Sequence, residues 1–331
     1  MKAAVILQPK RIETRELPIP QPVPGELLVR VMASGICGTD VHIFQGEYLG
    51  SYPIIPGHEF AGIVELVGSE VTRFKAGDRV AVEPNLPCDN CVNCLNNRQN
   101  FCLNWQAVGV TRPGGMAQYV CVPEKAAFDI GNLPFEQAAF MEPLSCVLHG
   151  LERLAPEMAA RVAILGAGPI GLLLLQGLRL NGAAEVVVVD KNPQRAALAQ
   201  TLGADRSLTD LDDLERDAYD AVVDASGAVQ VMSRTLEFVR QGGKILLFGV
   251  PPAGARMTVE AFPIFRKGLT ILSSFTSLRN SYQALGLLKS RQVSVEKLIS
   301  HRLPLEELQR GIELIEKGNE PVYKVIMLPN N

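Results

Sequence analysis

The sequence predicts an α/β protein in two parts, an irregular antiparallel β-barrel followed by a parallel sheet wound with helices on both faces. Three observations carry that prediction. From residue 1 to about 127, short apolar runs are broken by proline and glycine, the pattern of strands joined by loops. From residue 161 onward, short strand-like runs alternate with longer helix-period runs, which implies strand–helix–strand units and hence a parallel sheet. Within the first region lies a C-x2-C-x2-C-x7-C run, residues 88–102, in a stretch with no apolar core of its own.

The elements follow in order. Strands are expected at 27–32, 61–67 and 79–82, punctuated by Pro24-Gly25, Gly57, Gly68 and Gly77-Asp78. The texture turns helical near Phe135, and 144–151 keeps helical spacing. Strands at 161–165, 185–190, 221–224 and 244–248 then alternate with helices at 170–180, 195–202 and 229–239. Helices at 281–289 and 305–317 and a strand at 323–328 close the chain. This tail is expected to rejoin the first domain, giving one domain of 1–147 plus 277–331 around a second of 148–276.

Composition narrows the function. At 331 residues and 47% apolar side chains the chain is long and greasy enough to bury two cores. A net charge of −3 offers no basic footprint for phosphates and speaks against a nucleic-acid partner. The apolar runs at 3–7 and 170–175 are too short for a signal-peptide core or a membrane span. No membrane partner is expected, and the cytoplasm is the expected location.

Cys88, Cys91, Cys94 and Cys102 suit one loop, about 86–104, wrapped around a tetrahedral structural zinc with Zn–S bonds of about 2.3 Å. The intervening Asp89, Asn90, Asn93, Asn96 and Asn97 are turn-formers. A pair of disulfides competes with this reading, but disulfides belong to oxidising compartments that nothing else here suggests.

Gly166-Ala167-Gly168-Pro169-Ile170-Gly171 follows a strand and opens an apolar helix. In that setting the first glycine makes the tight turn, the second admits a pyrophosphate and the third lets helix and strand pack closely. The phosphates then meet the helix N-terminus. Asp190 ends the next strand, about twenty residues on, where a carboxylate accepts both ribose hydroxyls and repels a 2′-phosphate. NAD is therefore favoured over NADP, with Lys191 and Arg195 close behind as the counter-signal.

Three further segments carry reactive groups: Gly35-Ile36-Cys37-Gly38-Thr39-Asp40-Val41-His42, Gly57-His58-Glu59 and Met141-Glu142-Pro143. A thiolate, an imidazole and a carboxylate form a mixed donor set that suits zinc with one position open for substrate. Such a metal is a Lewis acid that favours loss of an alcohol proton near neutral pH. Singly, each residue has an ordinary structural reading; together, beside a dinucleotide fold, they point to chemistry.

These motifs, in this order and over essentially the whole chain, resemble those of the zinc-dependent medium-chain dehydrogenase/reductase superfamily, and within it the polyol (sorbitol-type) dehydrogenase branch. The resemblance implies a GroES-like β-barrel catalytic domain and a Rossmann domain, with the active site in the cleft between them. It implies a catalytic zinc on Cys37, His58 and Glu59, with Glu142 either an alternative ligand or a holder of the zinc-bound water and substrate. It makes Thr39 and His42 a proton relay. It adds Ile170, Arg195, the loop Phe248, Gly249 and Val250 and the loop Ser274, Phe275 and Thr276 to the cofactor contacts. Two zinc ions and one NAD per chain are expected, with a homodimer or homotetramer formed partly by pairing of sheet edges.

The reaction so implied is NAD-dependent oxidation of a secondary hydroxyl of a small polyol or polyol phosphate. The chain departs from the sorbitol pattern at Ile43, where a tyrosine is usual, and at Thr276 and Ser277, where an arginine–tyrosine pair is usual. An L-threonine 3-dehydrogenase-like activity is an alternative, since that branch shares the motifs and the V-G-V-x-R-P-G run at 108–114. A non-catalytic NAD-binding scaffold is another, and a zinc-independent quinone reductase ranks below both.

Overall fold

The chain opens with a hairpin of β1 (Lys2–Gln8) and β2 (Arg11–Glu16), followed by β3 (Glu26–Gly35) and a short helix α1 (Gly38–Gln45). Next come β4 (Glu59–Val67), β5 (Arg79–Val82), β6 (Asn85–Leu86), α2 (Val92–Leu95), β7 (Gln106–Ala107), β8 (Tyr119–Pro123) and β9 (Ala127–Asp129). Helices α3 (Phe135–Ala138) and α4 (Met141–Leu154) lead into an alternating series. It comprises β10 (Arg161–Leu165), α5 (Pro169–Leu180), β11 (Glu185–Val189), α6 (Pro193–Thr201), β12 (Arg206–Leu208), β13 (Tyr219–Asp224), α7 (Val229–Phe238), β14 (Val239–Leu247), α8 (Ala261–Lys267) and β15 (Thr270–Ser273). The tail holds α9 (Ser281–Lys289), β16 (Ile299–Pro304), α10 (Leu308–Lys317) and β17 (Lys324–Leu328). This computed structural model describes residues 1–47, 51–317 and 322–331.

Two units emerge, Met1–Ser145 with Ser277–Asn331 and Cys146–Thr276, the first division falling within α4. In the first, strand order is β16-β17-β3-β4-β5-β9, with β8 also on β3. All these pairs are antiparallel except β16 with β17. Strand β3 is the organiser: Glu26–Arg30 pairs with β8, its far end Ser34 and Gly35 with β17, and nearly its whole length with β4. Two register shifts along the β3–β4 ladder bend it, as bulges do where sheets curl. Leu27, Val29, Val31, Phe60, Val64 and Val80 fill one core beneath it.

The second unit is a six-stranded parallel sheet in the order β12-β11-β10-β13-β14-β15. Strands β10, β11 and β13 are rich in aliphatic residues and almost wholly buried, as strands covered on both faces must be. That burial is why their apolar runs read clearly in the sequence. The edge strands β12 and β15 are largely exposed, lack such a run and have no counterpart in the sequence reading. The helix expected at 229–239 ends one residue earlier, because Val239 already pairs with Tyr219 and starts β14. Among the described residues no helix is long and apolar enough to cross a membrane.

Close approach at β3 and β4 depends on Gly62, whose added Cβ would stand 2.1 Å from the carbonyl oxygen of Arg30. Gly62→Ala is expected to destabilise the first unit by about 1–3 kcal/mol, as overpacking does, measured as a lower denaturant midpoint with an unchanged slope.

Candidate metal centres and dinucleotide cavity

In the first unit the four lobe cysteines converge, their Sγ atoms all within 4.8 Å of one another. The Cys91–Cys94 and Cys91–Cys102 sulfur separations are 3.5 and 4.0 Å. These bracket the roughly 3.8 Å edge of a tetrahedron with 2.3 Å Zn–S bonds and are far too long for an S–S bond of about 2.05 Å. All four thiols are free. Backbone amides of Cys88 and Asn104 donate to the Cys102 sulfur at 3.2 and 3.3 Å. The Cys88 thiol is pulled down to about 6, chiefly by the Asn90 amide, whereas burial pushes Cys94 up to about 12. A cation among the four sulfurs resolves that conflict by drawing off the remaining protons, so the donor set fits zinc.

The second cluster joins Cys37, His58 and Glu59, again with ligand atoms within 4.8 Å of one another. Cys37 is the N-cap of α1. His58 and Glu59 lie at the start of β4 and are buried. Asp40, fully buried on α1, ties these segments together. Its Oδ2 accepts from the Cys37 amide at 2.9 Å and its Oδ1 from the Gly57 amide at 3.1 Å, and Oδ1 stands 3.5 Å from His58 Nδ1. Burial alone would lower the pKa of His58, yet the charges of Asp40 and Cys37 raise it well above its usual value. The pocket thus favours positive charge on or beside the imidazole, which fits a metal cation on the trio with Asp40 as its outer carboxylate.

Lys324 completes the centre. It is 4% exposed, and its Nζ lies 2.6 and 2.8 Å from the two oxygens of Glu59 and 3.3 Å from the carbonyl of Ile36. Burial opposes its charge, but Glu59, Cys37 and Glu142 keep its pKa above the ordinary value. Gly35 is what leaves room for this pair, since a Cβ there would stand 2.3 Å from Glu59 Oε2. Glu142, buried in the first turn of α4, is not a member of the trio, though its charge is felt by Lys324. Thr39 and His42 lie on α1, with His42 Nδ1 3.0 Å from Oε2 of Glu47.

In the second unit a cavity of about 610 Å³ is lined by Gly166, Gly168, Asp190, Arg195, Ser226 and Arg234, among others. Gly168 caps α5 and Pro169 occupies its first turn, with Ile170 next. Gly166 has φ +115°, and a Cβ on Gly171 would stand 1.9 Å from the Gly166 carbonyl. Only glycine permits both the turn and the close packing. Asp190 accepts from the Ala167 amide at 2.8 Å and the Asn192 amide at 2.9 Å, so the acid also braces the glycine turn. The cavity's helix N-terminus and carboxylate suit a pyrophosphate and a ribose. Lys191 and Arg195 line the same cavity. Phe248, Gly249 and Val250 follow β14, and Ser274, Phe275 and Thr276 follow β15, at the C-terminal strand ends.

Three residues that shape these sites were missed from the sequence. Asp40 stood inside a quoted motif but was given no role. Lys324 carries no local signal, because its partner is 265 positions away. Asp224, buried at the end of β13, accepts from Ser226 Oγ at 2.6 Å and from the Gly227 amide at 3.2 Å, so it shapes the cavity wall.

The description "alcohol dehydrogenase GroES-like domain" matches residues 23–132, and "zinc-binding dehydrogenase" matches residues 169–290. The chain is 41% identical to D-altritol 5-dehydrogenase of Agrobacterium fabrum, across 93% of this chain and 94% of that one. It is 32% identical to an L-threonine 3-dehydrogenase of Rhizobium rhizogenes, across 99% and 98%. A Sinorhizobium meliloti structure described as a zinc-binding dehydrogenase bound to NADP superposes with a TM-score of 0.94, at 34% identity and 99% coverage of each chain.

Lys324→Met would strand a buried carboxylate, and removal of one partner of such a pair costs about 3–5 kcal/mol. The expected result is a matching loss of unfolding free energy in denaturant, with Lys324→Arg recovering most of it.

Proposed function

Because the chain belongs to the zinc-dependent medium-chain dehydrogenase/reductase superfamily, in its polyol dehydrogenase branch, we propose that it oxidises a secondary hydroxyl of a polyol or polyol phosphate to the ketone with NAD. The observation that carries this reading is the convergence of Cys37, His58 and Glu59 on one point, backed by Asp40 and Lys324. A scaffold without chemistry has no use for so complete a donor set.

Cys37, His58 and Glu59 hold the catalytic zinc, and Cys88, Cys91, Cys94 and Cys102 a structural one. When bound, zinc supplies Lewis acidity at the substrate hydroxyl, and NAD accepts the hydride. Glu142 stays close to Lys324 and orients the substrate's surroundings rather than the metal. Thr39 takes the hydroxyl proton and His42, one turn along α1, passes it on to Glu47, whose side chain is half exposed. An imidazole suits this relay near neutral pH.

NAD is favoured because Asp190 presents a carboxylate where a 2′-phosphate would stand. The NADP seen in the Sinorhizobium meliloti relative, and Lys191 and Arg195 here, are the reasons to test both cofactors. Substrate recognition departs from the sorbitol pattern. Ile43 is fully buried in the core, and the Ser277 hydroxyl is committed to Glu83 at 2.9 Å. The run shared with threonine dehydrogenases does not favour threonine: Gly109 and Gly114 pack against the Gly57 carbonyl and Arg112 pairs with Glu26 at 2.7 Å. Its work is to brace the loop that bears His58.

None of the seven cysteines is in a disulfide, which suits a reducing cytoplasm. The open edge of β15, with Phe262 and Phe265 exposed on the preceding α8, suits pairing with a second copy about a two-fold axis.

The deciding assay follows NADH at 340 nm over D-altritol, other pentitols and hexitols, polyol phosphates, simple secondary alcohols and L-threonine, with NAD and NADP. Turnover of a polyol with NAD, lost with a chelator, is expected. Cys37→Ser should lose turnover, keep the fold and bind one zinc instead of two, whereas Cys88→Ser should weaken folding itself. Turnover of L-threonine alone would replace the polyol reading. Ile271→Lys with Phe265→Asp should shift the protein to monomer in light scattering.

A further inference from the structure

The sheet order dictates where each half of a dinucleotide lies. Asp190, at the end of β11, takes the adenosine ribose, and the glycine turn after β10 takes the pyrophosphate. The remaining half must run the other way, over the C-terminal ends of β13, β14 and β15. Neighbouring strands are about 4.8 Å apart, so β11 to β14 is about 14 Å, a span an extended dinucleotide covers.

The later turns of α4 pack on those ends. A Cβ on Gly150 would stand 2.6 Å from the Phe248 ring and 3.6 Å from Ser274 Cβ. Arg153 Nε donates to the Ser273 carbonyl at 2.5 Å. His149 immediately precedes Gly150, lies one helical turn before Arg153 and is 5% exposed. Neither of its ring nitrogens has a hydrogen-bond partner among the described residues, and the buried hydroxyl oxygen of Ser274 has none either. Burial, and then the charge of Arg153, lower the pKa of His149. Its ring is neutral at pH 7 and offers one donor and one acceptor.

Buried polar atoms of this kind are satisfied in the working protein. The group due at these strand ends carries the matching chemistry, since a carboxamide presents one acceptor oxygen and two N–H donors. We propose that His149, with Ser274, binds the nicotinamide carboxamide and fixes the orientation of the ring. The inference rests on the dinucleotide reading of the preceding subsection. It assigns a cofactor-binding role to a residue on α4 that belongs neither to the glycine turn nor to either candidate ligand set.

The test compares NADH with ADP-ribose, which lacks the nicotinamide, by calorimetric titration of the zinc-loaded protein. His149→Phe is expected to weaken NADH by about five- to tenfold, the scale of one lost hydrogen bond, and to leave ADP-ribose unchanged. His149→Gln, which keeps a donor and an acceptor, is expected to recover most of the loss, and it stands in should the phenylalanine variant fail to fold. Unchanged NADH affinity, or equal weakening of both ligands, would overturn the assignment. If wild type binds neither ligand, the dinucleotide reading itself has failed.

Discussion

A buried ion pair between the last strand and β4 governs the end of the first unit that carries the candidate ligand trio. Lys324 opens β17, Glu59 opens β4, and Gly35 ends β3 between them, paired with both neighbours. An ammonium desolvated this deeply is tolerable only against carboxylate charge, so the three strand ends are held in one register. The residues that follow or lie at those ends are the candidate ligands: Cys37 two positions after Gly35, and His58 beside Glu59. The same lysine limits how Glu59 serves a metal, since both carboxylate oxygens already face Nζ. A metal bound at this trio would share the carboxylate with Lys324, whose two contacts to Glu59 are set by the fold.

Asp40 performs the complementary task from the other side. One side chain joins the amide of Cys37 to the amide of Gly57 and faces His58, so a single carboxylate ties the two ligand-bearing loops together. The glycines at 57, 109 and 114 let backbones stack behind it without side chains. The trio is therefore preorganised by groups that are not themselves ligands, a condition for a metal site of defined geometry.

In the second unit the same economy appears in the turn after β10. Asp190 holds the amide of Ala167 within that turn, so the carboxylate proposed for the ribose also shapes the turn proposed for the phosphates. Asp224 does likewise at β13, where its carboxylate binds the backbone of the next loop and its carbonyl accepts from Phe248 and Gly249.

The sequence by itself determined the fold class, the inner strands, the lobe cysteines and the glycine turn. Each is local: an unbroken apolar run, a ligand spacing, or a residue type that a given turn demands. It also marked Cys37, His58 and Glu59 as candidates, though only their company made them persuasive. Edge strands β12 and β15 escaped notice because an exposed strand needs no continuous apolar run. Only in three dimensions does Lys324 meet Glu59, Asp40 join two loops, Glu142 stand outside the trio, and His149 lie buried with neither ring nitrogen bonded among the described residues. Each of these depends on groups brought together from distant segments or on a side chain's burial, and periodicity along the chain encodes neither.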